Sequence, residues 1–236
     1  MVNIAICYFG MTRSLKKVYK SHINNIFRVL TQNNISFDVF IHSWKTDKNI
    51  IWENEINTPI DYNEHKLLNP RYYQLDNKND FLQSITFSDY FNESLYREFG
   101  GDTHNEWRPG LIRNHLCALE SQKRVTDMVL NTKIIYNYIM YIRPDVEIIT
   151  PLSPHYLNIN INEIAIPNYD HNEGYNDRFA IVPFEKCCLY GKRIDEIIDF
   201  RKNHGRIVSE KYVKFILLKY FSKINLIDFK FNIVRP

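Results

Sequence analysis

Val2-Asn3-Ile4-Ala5-Ile6-Cys7-Tyr8-Phe9, closed by Gly10, is a nearly continuous apolar run at the start of the chain. Strands buried on both faces carry such runs, whereas half-exposed strands alternate apolar and polar residues. The run therefore predicts the first strand of a parallel sheet. Gly10-Met11-Thr12-Arg13-Ser14 leads out of it into a segment where Leu15, Val18, Tyr19, His22, Ile26, Val29 and Leu30 recur at helical spacing. Ser14 is the expected N-cap of that helix. Phe37 to Trp44 forms a second apolar stretch, so residues 1–44 read as a βαβ unit.

Beyond this unit the pattern loosens over 45–105, with a strand-like 71–75 and an amphipathic patch over 89–99 that Gly100-Gly101-Asp102 breaks. A long helix is predicted over 111–130, with Leu111, His115, Leu119, Gln122, Val125 and Val129 along one side. Tyr138 to Ile142 is another buried strand and runs into Arg143-Pro144-Asp145-Val146-Glu147. A short strand at 164–167, a polar loop at 168–176 and a strand at 177–182 follow. Helices over 185–203 and 209–221 and a strand at 229–234 complete the chain. There is neither repeat nor linker. The alternation of strands and helices predicts one α/β domain over 1–236, a central, mostly parallel sheet flanked by helices.

Composition narrows the function classes. Of the 236 residues 44% are hydrophobic and 24% charged, which excludes disorder as the main state. With 16 Tyr and 15 Phe against 7 Gly and 9 Pro, the core is expected to be aromatic-rich. The net charge of +3 is too small, and Arg113, Lys123 and Arg124 too scattered, for a nucleic-acid surface. The four cysteines, Cys7, Cys117, Cys187 and Cys188, have no zinc-like spacing and read as reduced, buried thiols of a reducing compartment. No stretch approaches the roughly 18 apolar residues of a spanning helix. The first run is too short for a signal-peptide core and lacks a basic leader, so a cytoplasmic protein without an integral membrane segment is expected. The sequon Asn92-Glu93-Ser94 accordingly has no secretory context.

Three segments carry chemistry. In extended geometry Arg143, Asp145 and Glu147 project to one face at a sheet's carboxyl edge, where open α/β sheets bind ligands. Paired acidic oxygens there suit Mg²⁺ or Mn²⁺, which share their coordination with substrate phosphates. The same residues also read as a solvated edge with an Arg–Asp ion pair. Gly10 to Arg13 lies between strand and helix, where backbone N–H groups and a guanidinium fork match phosphate oxygens, although a tight βα turn explains the spacing equally. Asp177, in Asn176-Asp177-Arg178, sits at a loop-to-strand junction suited to a base or a sugar-hydroxyl acceptor, or to a turn carboxylate bonded to its own backbone. His171 and Glu173 are weaker versions of the same idea, and His115 reads as a hydrogen-bonded core residue.

Taken together, Phe9 to Ser14, Phe37 to Trp44, Asn114 to Lys123, Tyr138 to Glu147, Asn176 to Ala180, Ser209-Glu210-Lys211 and Ile233 to Pro236 resemble the small GT-A type glycosyltransferases encoded by large DNA viruses and some bacteria. The resemblance implies transfer of a sugar from a nucleoside-diphosphate donor to a glycan or glycoprotein acceptor. It implies donor contacts from Phe9, Gly10, Thr12, Arg13 and Arg143, and Mn²⁺ or Mg²⁺ held by Asp145 and Glu147 in place of the family's Asp-x-Asp. In such a site Asp177 is the first choice of catalytic base and Glu210, at a helix start, the second. A sugar nucleotidyltransferase lacks support because no glycine-rich basic loop follows the first strand. A non-catalytic nucleotide-sugar or carbohydrate-binding module would keep the fold without a usable acid pair.

Overall fold

The computed structural model describes residues 2–46, 60–92, 94 and 109–235. β1 (Asn3–Phe9) and β2 (Ser36–Lys45) are joined by a helix in three parts: α1 (Leu15–His22), a π-helical stretch Ile23–Phe27, and α2 (Arg28–Gln32). β3 (Tyr72–Asn77) and α3 (Lys78–Ser84) follow, then the long helix α4 (Pro109–Asn131) and β4 (Tyr138–Ile142). The patch expected at 89–99 falls largely, and the Gly100-Gly101-Asp102 break and Glu93 of the sequon wholly, outside the described residues.

After β4 come β5 (Val146–Ile148), β6 (Glu163–Pro167) and β7 (Phe179–Pro183). The helix expected over 185–203 is divided into α5 (Cys187–Gly191) and α6 (Ile197–His204) by a 3-10 turn, Arg193–Glu196. α7 (Ser209–Tyr220), β8 (Lys223–Ile227) and β9 (Phe231–Ile233) end the fold. Seven strands form one sheet in the order β3-β2-β1-β4-β7-β6-β8. Only β7 runs against its neighbours, so the sheet is mostly parallel, as its apolar strands predict. β5 and β9 pair separately as a two-stranded antiparallel ribbon.

Strand alternation divides the core into two layers. Ile4, Ile6 and Tyr8 of β1 pack with Met140, Ile142, Phe179 and Ile181 beneath Leu15, Val18, Ile26 and Leu30 of the helix between β1 and β2. Ala5, Cys7 and Phe9 face the other way, with Ile139, Tyr141, Ala180 and Val182, against Val125 and Val129 of α4 and Val213 and Leu217 of α7. Both faces of the sheet are thus covered. Truncating a residue such as Ile6 to Ala would open a cavity costing about 2–5 kcal/mol.

Two local expectations are corrected. Ser14 occupies the N-cap position but its hydroxyl makes no capping bond; the Lys16 N–H donates instead to Glu64 Oε2 at 2.9 Å, a carboxylate from a distant segment. The thiols of Cys7, Cys117 and Cys187 are free and buried, as read, whereas Cys188 is exposed on the outer side of its short helix. Among the described residues no helix is long and apolar enough to cross a membrane.

Candidate active site

β1 and β4 are parallel neighbours, with Tyr8 beside Ile142. The chain leaves β1 for β2 on one side and leaves β4 for β6 on the other, so the strand order reverses between them. Splayed connections at such a point open a crevice beyond the carboxyl ends of the strands. A cavity of about 590 Å³ occupies that position. Its walls are the β1 end and the turn after it, the 143–145 segment after β4, the residues leading into β7, and the first turn of α7.

The turn after β1 is held from below. Gly10 has φ +103°, a conformation that favours glycine, and its N–H donates to Ser121 Oγ of α4 at 2.7 Å. The Ser121 hydroxyl meets His42 Nδ1 at 2.7 Å, and His42 Nε2 meets Asp76 Oδ2 at 3.1 Å. Because a carboxylate only accepts, Nε2 carries the ring proton and Nδ1 accepts from Ser121. Burial pushes the His42 pKa down to about 4 against the opposing pull of Asp76, so the ring is neutral at pH 7. Ser121, His42 and Asp76 have the composition of a hydrolytic relay. Ser121 is nevertheless fully buried and lies outside the cavity lining, so the chain serves to fix Gly10. Phe9, Gly10 and Arg13 line the cavity as expected. Thr12 does not: it is 1% exposed and packed beneath the turn.

The 143–147 segment departs from its extended reading. Pro144 has no N–H and a fixed φ, so regular strand pairing stops at Ile142 and residues 144–145 form a turn. Alternation is not carried across that turn. Glu147 therefore lies exposed in the β5–β9 ribbon opposite Asn232, outside the cavity, while Arg143 and Asp145 line it. The alternative reading, an Arg–Asp ion pair, is the one that forms. Arg143 Nε and Nη2 donate to Asp145 Oδ1 and Oδ2 at 2.9 and 2.5 Å. Arg235 Nη1 lies 3.3 Å and Arg13 Nη2 3.9 Å from Oδ2. Burial alone would raise the Asp145 pKa; the charge and hydrogen bonds of Arg143, then Arg235 and Arg13, outweigh it and hold the carboxyl below its ordinary value.

Asp177 and Glu210 also line the cavity, close enough for their charges to act on each other, and Asp177 lies within electrostatic reach of Arg143. The turn carboxamide that bonds backbone is Asn176, not Asp177: its Oδ1 accepts the Arg178 N–H at 2.9 Å. Asp177 is left to face the cavity. Burial works to raise its pKa, but Arg178, Arg143, His115 and Arg193 bring it below the ordinary value. Glu210 moves the other way, raised by burial and by the charge of Asp177. Ser209 Oγ donates to Glu210 Oε2 at 2.6 Å, and Arg178 Nη2 lies 3.9 Å from Oε1. The 168–176 loop seals this side. A Cβ at Gly174 would fall on the Glu210 carbonyl, which accepts the Tyr175 N–H at 3.0 Å. His171 steadies the loop as acceptor for the Asn176 N–H, and Glu173 pairs with Lys211. His115, expected in the core, is buried but lines the cavity, its pKa lowered to about 4 by burial.

The sequence reading missed Lys78 and Arg235 as site residues. Lys78 opens α3 and donates to Asn114 Oδ1 at 2.9 Å; burial lowers its pKa, and the charge of Arg13 adds to the lowering. Their signal is positional: Lys78 follows a strand at its carboxyl end, and Arg235 follows the last one. Among the described lining residues seven cationic side chains face four carboxylates. That donor set does not fit a divalent cation held by Asp145 and Glu147. Both oxygens of Asp145 face guanidinium, Glu147 points elsewhere, and no described group of three or more His, Cys, Asp or Glu is gathered to hold a metal.

No family model matches the sequence, and no curated protein sequence does. Solved structures similar in fold include the galactosyltransferase LgtC in complex with donor and acceptor sugar analogs, at 9% identity and a TM-score of 0.45, over 95% of this chain and 73% of that one. The bifunctional glycosyltransferase WbbM in its apo structure matches at 12% identity and a TM-score of 0.43, over 96% of this chain but only 38% of its own. Likeness at this level leaves function to rest on the cavity itself.

Proposed function

We propose that the chain is a GT-A-like glycosyltransferase that moves a sugar from a nucleoside-diphosphate donor to a glycan or glycoprotein acceptor. One observation carries the reading: the crevice where the strand order reverses gathers the Gly10 turn, Arg13 and Arg143 together with the Asp177 and Glu210 carboxylates in one lining. The guanidiniums suit the diphosphate, since preorganised cationic donors stabilise the charge that grows on a departing phosphate. The carboxylates suit the acceptor, whose hydroxyl needs a carboxylate within hydrogen-bond reach to take its proton. Of the two acids, Glu210 has the raised pKa and so the greater affinity for a proton, while Asp177, its pKa lowered, is electrostatically tied to Arg178.

A thermal-shift panel of nucleotide sugars, followed by assay of nucleoside-diphosphate release, tests this. Ligands that bind only the folded state raise its melting temperature. Stabilisation by one nucleotide family together with release of its diphosphate is expected. Stabilisation without turnover toward any acceptor or water would reduce the chain to a binding module, and no response to any nucleotide sugar would remove the reading.

A further inference from the structure

Resting on that reading, we infer that the donor diphosphate is gripped by guanidinium groups of Arg143, Arg235 and Arg13 without a divalent cation, and that Asp145 is a positioning residue that gathers them. The three arginines come from separate segments: the turn after β1, the end of β4, and the segment after β9. They meet on one carboxylate, at 2.5, 3.3 and 3.9 Å from Asp145 Oδ2. The backbone joins in, because the Val234 N–H donates to the Asp145 carbonyl at 2.8 Å and Lys17 Nζ donates to the Arg235 carbonyl at 3.1 Å. Asp145 thus fixes Arg143 and the arm carrying Arg235 at once.

Charge decides what such a cluster receives. Among the described lining residues seven cationic side chains stand against four carboxylates, and three of the seven are drawn onto Asp145. A dication placed against Asp145 would meet those guanidiniums at close range, whereas a diphosphate would be attracted by them. The planar fork of a guanidinium also matches phosphate oxygens in geometry. Lys78, beside Arg13, extends the positive wall.

The test is calorimetric titration of the full chain with UDP, GDP and inorganic pyrophosphate, each in EDTA and again in Mn²⁺. At least one nucleoside diphosphate should bind in EDTA, with an affinity that Mn²⁺ changes by less than about twofold. R235A should weaken that binding by about tenfold or more in both buffers, the scale of a lost charge-assisted hydrogen bond, and R235K should recover part of it. D145N, with its fold verified by circular dichroism, should weaken binding in EDTA while leaving the response to Mn²⁺ as flat as before; E147A should change nothing. Binding that vanishes in EDTA and returns with Mn²⁺ would overturn the inference and leave sugar transfer standing, as would wild-type affinity in R235A. Absence of binding to all three probes in both buffers would overturn the inference and the sugar-transfer reading together.

Discussion

Arg143 and Asp145, separated only by Pro144, close on each other through two parallel bonds of 2.9 and 2.5 Å. The pair spans the turn that ends β4, so it has a structural as well as a binding role. Removing the guanidinium strands a buried carboxylate, which generally costs about 3–5 kcal/mol. Arg235 and Arg13 remain nearby to share the charge, so the lower end of that range is expected for Arg143→Ala in urea titration, with Arg143→Lys losing less. Equal stability of all three proteins would show that the fork contributes nothing to the fold.

Ser121→Ala removes the group to which Gly10 N–H donates and which His42 Nδ1 accepts from. Leaving buried polar partners unsatisfied costs about 1–3 kcal/mol. Because the turn that lines the cavity loses its anchor, donor affinity should fall along with the melting temperature. A variant that loses stability but binds donor normally would restrict Ser121 to the core.

Acid sensitivity has a definite window. Burial lowers His22 and His42 to about 4 from 6.5. A base with a depressed folded pKa stabilises the fold above 6.5; as pH falls, the unfolded chain takes up the proton first and the contribution is lost between 6.5 and about 4. At 1.36 kcal/mol per unit each ring accounts for about 3 kcal/mol. Asp145 and Asp177, also depressed, act in the same direction further down, losing their contribution as pH falls through their folded values. Urea midpoints measured from pH 7 to pH 4 should therefore fall steadily, and His42→Asn should flatten part of that slope. A midpoint that is constant over the range contradicts the assignment of neutral buried rings.

The two cavity acids separate by kinetics. Glu210→Gln should lower turnover by about 10²–10⁴, the usual contribution of general base catalysis, and remove the acidic limb of the pH–rate profile. That limb lies above the ordinary glutamate value, because the folded pKa is raised. Asp177→Asn should shift the limb downward, since the charge that raises Glu210 is gone. If instead Asp177→Asn abolishes the limb and Glu210→Gln keeps it, the roles are reversed.

Gly174→Ala places a methyl group on the Glu210 carbonyl and must push the 168–176 loop off the start of α7. Loss of turnover greater than the loss of donor affinity is expected, read from kcat and from calorimetry on the same preparation. An alanine variant with unchanged kcat would mean that the loop does not hold Glu210.

The buried strands were readable because nothing competes with burial there: the apolar runs of β1, β2 and β4 have one stable place, inside a covered sheet. β8 escaped because Lys223 and Leu226 lie exposed on an edge strand, which breaks its pattern. In the site, Gly10, Arg13, Arg143, Asp145, Asp177 and Glu210 follow from their positions at strand and helix ends. Glu147 was misplaced since alternation was extended through a proline turn. The His42–Ser121–Asp76 chain left no local trace, its members being 34 and 79 residues apart and joined only by tertiary packing.

The π-helical stretch between α1 and α2 gives this helix a spare residue. Asn25, inside it, donates through Nδ2 to the Ile148 carbonyl and accepts the Leu152 N–H, both at 2.8 Å. Such stretches amount to one residue more than a regular helix needs. Deleting Asn24 would return the segment to regular α-geometry with both flanks kept in phase, because five residues at the π pitch turn about as far as four at the α pitch. Leu15 and Leu30 would stay in the core, and the bulge that presents Asn25 to Ile148 and Leu152 would be lost. A single in-frame codon loss there should therefore leave the helix packed and loosen only the β5 ribbon behind the Asp145 turn.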